Sequence, residues 1–179
     1  ELMNLLFPPL PTVYWLDIIR TCNLRCVMCP QSQGLEALPA KMSMDVFRRI
    51  IDEIAEAGPL VKLYLSGEPL LHERLFDMVA CAHAAGCETM IHTNATLLDE
   101  DMALRILASP LTFLSFSFDG CSPEVYERLR PPASYGQVRT NIRRFLDLRR
   151  QGSHRGPHTT VEIIAMRETE PLLQGFVEE

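Results

Sequence analysis

The chain alternates between two hydrophobic periods. Runs rich in β-branched and aromatic residues recur as "TVYWLDII" (12–19), "LVKLYLS" (60–66), "CETMIHTN" (87–94), "LTFLSFSFD" (111–119) and "HTTVEIIAMR" (158–167). Each reads as a strand. Between them the spacing shifts to that of helices. Over residues 43–58, Ser43 is placed to cap a helix, Phe47, Ile50, Ile51 and Ile54 make its apolar stripe, and Gly58 stops it. Further helices are expected near 72–85, closed by Gly86, and near 99–108. A short one opens at Ser122 and Pro123, a longer one over 135–150 carries Val138, Ile142, Phe145 and Leu146 on one side, and another begins at 170. "QGSHRGPH" (151–158) reads as a polar connector, with His154 and His158 as loop residues and not a metal pair.

Strands alternating with helices predict a parallel sheet with right-handed crossovers. Element order alone allows either an open doubly wound sheet or a barrel. The faces of the strands favour the barrel. Leu114, Phe116 and Phe118 share one face of their strand, and Ser115, Ser117 and Asp119 the other; likewise Val61, Leu63 and Leu65 oppose Lys62, Tyr64 and Ser66. A strand covered on both sides should be apolar on both. One polar face fits parallel strands around a cofactor-filled lumen with helices outside; the plainer reading is the solvated face of an edge strand. The polar residues gather toward the strands' C-terminal ends, where the sites of α/β folds form.

Composition narrows the function. In 179 residues the chain is 47% hydrophobic and 22% charged, with a formal net charge of −6. That balance gives no electrostatic footprint for nucleic acid. No apolar run reaches the ~18 residues that a membrane span needs. Residues 1–11 are expected to be an N-terminal extension without the marks of a signal peptide, and 12–179 one domain. Opening on Glu1 and ending on Glu179, the sequence reads as a piece of a longer chain. The six cysteines suit reduced thiols in the cytoplasm better than a disulfide framework. Cys81 and Cys87 read as small core residues, and Cys121 shares no ligand spacing with them.

The other three cysteines stand together in "CNLRCVMC" (22–29), directly after the first strand. Structural zinc and ferredoxin-type clusters ordinarily take four protein ligands. Three thiolates can instead hold three corners of a [4Fe–4S] cluster and leave one iron open, which is how a metal centre acts on a small molecule.

CxxxCxxC after a first strand is similar to the signature of the radical S-adenosylmethionine (radical SAM) enzymes. "SGEPLLH" (66–72) resembles that family's GGEP motif, "HTNATLL" (92–98) its TNG segment, and "SFSFDGCSPEVYERLRP" (115–131) its ribose- and carboxylate-binding stretch. The resemblance runs from about 12 to 175 and is closest to the branch with a C-terminal, SPASM/twitch-like cluster-binding extension. It implies an α/β fold, a partial (β/α)6 barrel with its sixth strand and any extension beyond Glu179. It also implies a [4Fe–4S] cluster on Cys22, Cys26 and Cys29. S-adenosylmethionine would lie against Met28, Ser66, Gly67, Glu68, Pro69, Asn94, Ser117, Asp119 and Arg130, with the Arg130 fork on its carboxylate. Lys62, Tyr64 and His92 would line the substrate space, and no side chain is assigned as catalytic.

The implied activity is oxidoreductase or maturase chemistry: reductive cleavage of S-adenosylmethionine to a 5′-deoxyadenosyl radical, which abstracts hydrogen from a peptide or small metabolite. The partners implied are that substrate and an electron donor such as flavodoxin or ferredoxin, with no nucleic acid and no membrane. Departures from the motifs stand at Met28, where an aromatic is usual, and at Ser66 and Ala95, where glycines are usual. Two rivals remain: a non-catalytic zinc-stapled module and an electron-transfer protein with a saturated cluster. Glu68 could equally cap a helix, and Asp119 could be turn chemistry.

Overall fold

The computed structural model describes residues 10–34, 40–120, 122–152 and 156–178. Most of the expected N-terminal extension, Cys121 and His154 lie outside the described residues. The five strands are β1 (Val13–Trp15), β2 (Leu60–Lys62), β3 (Glu88–Thr93), β4 (Phe113–Ser117) and β5 (His158–Glu162). They form one sheet in the order β1-β2-β3-β4-β5, and every pair is parallel. A doubly wound sheet reverses its strand order at a switch point. This one advances in a single direction, as the wall of a barrel does.

The helices are α1 (Met44–Ile54), α2 (Leu75–Ala84), α3 (Glu100–Ala108), α4 (Pro123–Leu129), α5 (Tyr135–Gln151) and α6 (Leu173–Glu178). The cap signals at Ser43 and Ser122 act as the sequence suggests, and Asp99 adds a third. Ser43 accepts from the Val46 amide, Asp99 from Met102 and Ser122 from Val125, each satisfying a first-turn N–H that has no partner inside its helix. Gly58 stops α1 after a 3-10 turn, at φ 55°. The apolar face of the sheet packs under these helices. Val61 of β2, Ile91 of β3, and Leu114 and Phe116 of β4 are buried, and Phe116 meets Phe145 of α5 edge-on.

Strand alternation misplaces one residue. Val61 and Leu63 are in the core, but Leu65 is 67% exposed. β2 ends at Lys62, and the chain has begun its turn toward the GEP segment before Leu65, so the period of two no longer applies. The expected β1 and β5 are also shorter than their apolar runs. β1 breaks where the Ile18 amide bonds back to the Leu16 carbonyl, and the chain then makes an antiparallel bridge between Ile19 and Lys41.

Candidate functional site

Four loops at the C-terminal ends of the strands meet around a cavity of about 310 Å³. The cysteine loop after β1 is held from both sides by backbone. Its Arg25 and Val27 amides donate to the carbonyls of Pro131 and Leu129, at the end of α4, at 2.7 and 2.9 Å. On the other side, the Glu68 amide donates to the Thr21 carbonyl at 2.9 Å.

Gly67 explains how that second contact is so close. A Cβ there would sit 2.2 Å from the Ile19 carbonyl oxygen and 2.8 Å from that of Thr21. Only glycine lets the two backbones approach this way. Ser66, one residue earlier, is tied to β1's end: its hydroxyl donates to Asp17 at 2.8 Å and its amide at 3.3 Å. Asp17 also pairs with Arg20 at 2.9 Å.

Glu68 is the knot between the loops after β2 and β3. It is 2% exposed. Its carboxylate accepts from the Leu70 amide (3.1 Å), the Thr93 hydroxyl (2.8 Å) and the Asn94 amide (2.8 Å). Burial pushes its pKa up, opposed by these three donors. Asn94 then reaches the cysteine loop, donating to Asn23 Oδ1 at 2.9 Å and toward Cys22 Sγ at 3.8 Å. Asn23 in turn donates to Thr96 at 2.7 Å. Ala95, in place of the motif's glycine, takes a left-handed φ of 57° that L residues rarely adopt. Its carbonyl is held by buried Asn141 of α5 at 2.9 Å.

Past β4, Asp119 is fully buried and faces Arg130. Arg130 Nε donates to it at 2.6 Å, and the Ile164 amide donates to its other oxygen at 2.8 Å. The pairing offsets burial and holds the Arg130 pKa above its ordinary value. The same guanidinium comes within 4.0 Å of Cys26 Sγ.

Cys22, Cys26 and Cys29 are free, half-buried thiols on the wall of the cavity. Burial pushes the thiol pKa values of Cys22 and Cys26 up, and Arg130 draws that of Cys26 back. Metal binding overrides such a rise by driving the proton off. Among the described residues no three His, Cys, Asp or Glu side chains converge as a cage for one metal ion. Three thiolates are one short of the four protein ligands a structural zinc site takes, and match a cluster held by one thiolate on each of three irons.

Met28, Ser66, Gly67, Glu68, Asn94, Ser117 and Arg130 share the cavity with the three cysteines, as do Tyr64 and His92. Pro69, Asp119 and Lys62 lie off it. Pro69 opens a buried 3-10 turn, Asp119 stands behind Arg130, and the Lys62 ammonium sits 4.3 Å over the ring of Trp15. Sequence reasoning missed Asp17, Asn23, Asn141 and Glu162, and read Ser115 only as part of a polar strand face. Glu162 had one signal: in "HTTVE" it falls on the same alternation parity as Thr160, the polar face.

A parallel sheet in sequential order with a three-cysteine loop at its C-terminal edge defines a barrel-type α/β protein with a set of thiol ligands at its mouth. The particular family follows: the radical SAM superfamily profile matches residues 16–174, and the chain belongs to that superfamily. It is 34% identical over 111 residues to the Fe-coproporphyrin III synthase of Methanosarcina barkeri, covering 62% of this chain and 27% of that protein. It is 26% identical over 136 residues to an AdoMet-dependent heme synthase of Oleidesulfovibrio alaskensis, covering 75% and 35%. Among solved structures, SuiB of Streptococcus suis bound to its precursor peptide SuiA superposes with a TM-score of 0.77 at 14% identity, covering 94% of this chain and 36% of that one. The chain thus spans about a third of the length of these proteins. Its described helices include none long and apolar enough to cross a membrane.

Proposed function

We propose that this domain holds a [4Fe–4S] cluster on Cys22, Cys26 and Cys29 and cleaves S-adenosylmethionine to start hydrogen abstraction from a peptide or small-molecule substrate. The observation that carries the proposal is the meeting of the cysteine loop with Gly67, Asn94, Ser117 and Arg130 around one cavity. Relatives whose names specify porphyrin and heme synthesis, and a structural neighbour with a bound peptide, support both substrate classes. When bound, the cluster supplies one electron to the sulfonium, giving methionine and a 5′-deoxyadenosyl radical.

The protein's own share is position. Asp119 fixes Arg130 through Nε, leaving the terminal nitrogens to meet the cofactor's carboxylate. Gly67 and Ser66 bring backbone to its amino group, and Met28 packs beside its adenine. Tyr64 and His92 face the remaining lumen, where the substrate enters. The electron comes from a flavodoxin or ferredoxin in a reducing cytoplasm.

The test is electron paramagnetic resonance of the anaerobically reconstituted, dithionite-reduced full-length protein, with and without S-adenosylmethionine. A reduced-cluster signal that changes on adding the cofactor is expected. A signal indifferent to it would favour a saturated electron-transfer cluster, and colourless protein holding zinc would favour the stapled module.

A further inference from the structure

Ser115, Glu162, His92 and Ser117 form one polar chain across three adjacent strands. The register brings them together: His92 pairs with Ser115, and Ser117 with Glu162, so all four side chains share the face opposite the helices. The Ser115 hydroxyl donates to Glu162 Oε1 at 2.5 Å. The other Glu162 oxygen lies 3.9 Å from His92 Nδ1, and His92 Nε2 lies 2.6 Å from Ser117 Oγ. Tyr64 meets the imidazole edge-on at 5.3 Å between centroids and holds its plane.

This geometry sets the direction of the hydrogen bonds. At 3.9 Å Glu162 does not hydrogen-bond Nδ1, but its charge favours the neutral tautomer that carries the proton there, and the other nitrogen then accepts. His92 Nε2 therefore accepts the Ser117 hydroxyl hydrogen. Ser117 has only that one hydrogen, so it presents lone pairs alone to the cavity.

We propose that His92, oriented by Glu162, is a positioning residue that fixes Ser117 as a hydrogen-bond acceptor toward a hydroxyl group of the cofactor's nucleoside. This rests on the reading above in which Ser117 touches S-adenosylmethionine. Protonation of His92 undoes the arrangement. The imidazolium donates from Nε2, occupies a Ser117 lone pair, and adds positive charge to a cavity that must take a sulfonium.

The groups facing the ring are Lys62 of β2 and Tyr64 just past its end, Glu162 from β5, and Asp119 and Arg130 beyond β4. Burial lowers the ring's pKa from 6.5, outweighing the upward pull of Glu162. The neutral, acceptor form therefore holds at pH 7 and is lost as pH falls.

The test titrates S-adenosylmethionine into the reduced, cluster-bearing full-length protein across a series from alkaline to acid pH, reading Kd from the change in the paramagnetic spectrum. Wild type is compared with His92→Gln and His92→Leu, and cluster content serves as the folding control. His92→Leu should weaken binding about 3- to 10-fold near neutrality, as loss of one hydrogen bond does. His92→Gln, whose side-chain oxygen also accepts, should restore wild-type affinity and abolish the weakening that wild type shows in acid. Equal affinity in wild type and His92→Leu would overturn the inference. So would acid weakening in His92→Gln that parallels wild type. A wild-type cluster signal blind to S-adenosylmethionine at every pH would instead remove the reading beneath it, and that outcome is visible in wild type alone.

Discussion

Two glutamates stand at the strand ends of this sheet and do opposite work. Glu68, in a recognisable motif, is 2% exposed and gives its carboxylate to three donors of the protein's own backbone and side chains. Glu162, in no motif, keeps a side chain that is 50% exposed and makes one short hydrogen bond, to Ser115. The first belongs with Asp119 to a frame that fixes loops relative to one another. The second belongs with His92 to a wall, the polar face of the sheet. A carboxylate has about four lone-pair sites, and Glu68 gives three of them to the fold. Here the motif acids fix the loops around the cavity, and the half-exposed Glu162 carries fewer bonds to the fold.

The frame should break hardest at Asp119. Asp119→Ala leaves the Arg130 guanidinium buried without its counter-charge and the Ile164 amide without an acceptor. Removing one partner of a buried ion pair costs about 3–5 kcal/mol. Urea unfolding of the variant should show that loss, along with poor cluster retention. A loss under about 1 kcal/mol would mean that the pair is solvated and that Asp119 does not belong to the frame.

The same substitution at the two glutamates sharpens the contrast. Glu68→Gln leaves one oxygen for three donors and turns an NH2 group toward the rest. An unsatisfied buried group of this kind costs about 1–3 kcal/mol. Glu162→Gln keeps an acceptor for Ser115 at a half-open site, so stability should stay within about 0.5 kcal/mol. Paired thermal melts decide the matter. Equal losses at the two positions would erase the distinction between frame and wall.

Why one glutamate was legible in the sequence and the other was not has a physical answer. Cys22, Cys26, Cys29, Gly67 and Glu68 sit in short segments where turn, ligand and cap chemistry coincide, so their unusual local pattern carries the signal. Helix caps at Ser43 and Ser122 were legible for the same reason. Glu162, Ser115 and Asn141 are single polar residues inside otherwise ordinary elements. Only sheet register puts Glu162 beside Ser117, and only helix packing brings Asn141 to the Ala95 carbonyl. Leu65 shows the converse failure: alternation predicts a core position, but the strand has already ended. Local chemistry is written locally, whereas encounters between distant strands are not.

The smallest expected effect isolates the wall's titratable group. Burial holds the folded-state pKa of His92 below its ordinary 6.5, so the native protein resists a proton that the unfolded chain accepts. The unfolded state then binds more protons below pH 6.5, and the stability this residue contributes is present above that value and lost as pH falls toward the folded pKa. His92→Gln carries no such proton. Melting temperatures of wild type and variant should therefore run parallel above neutrality and separate in acid, with wild type falling faster. Glu68→Gln, measured alongside, should be destabilised already at pH 7, because its defect is an unmet hydrogen bond and needs no proton. If His92→Gln and wild type lost stability at the same rate between pH 7 and pH 5, His92 would be solvated or paired in its charged form, and the wall would titrate through some other group.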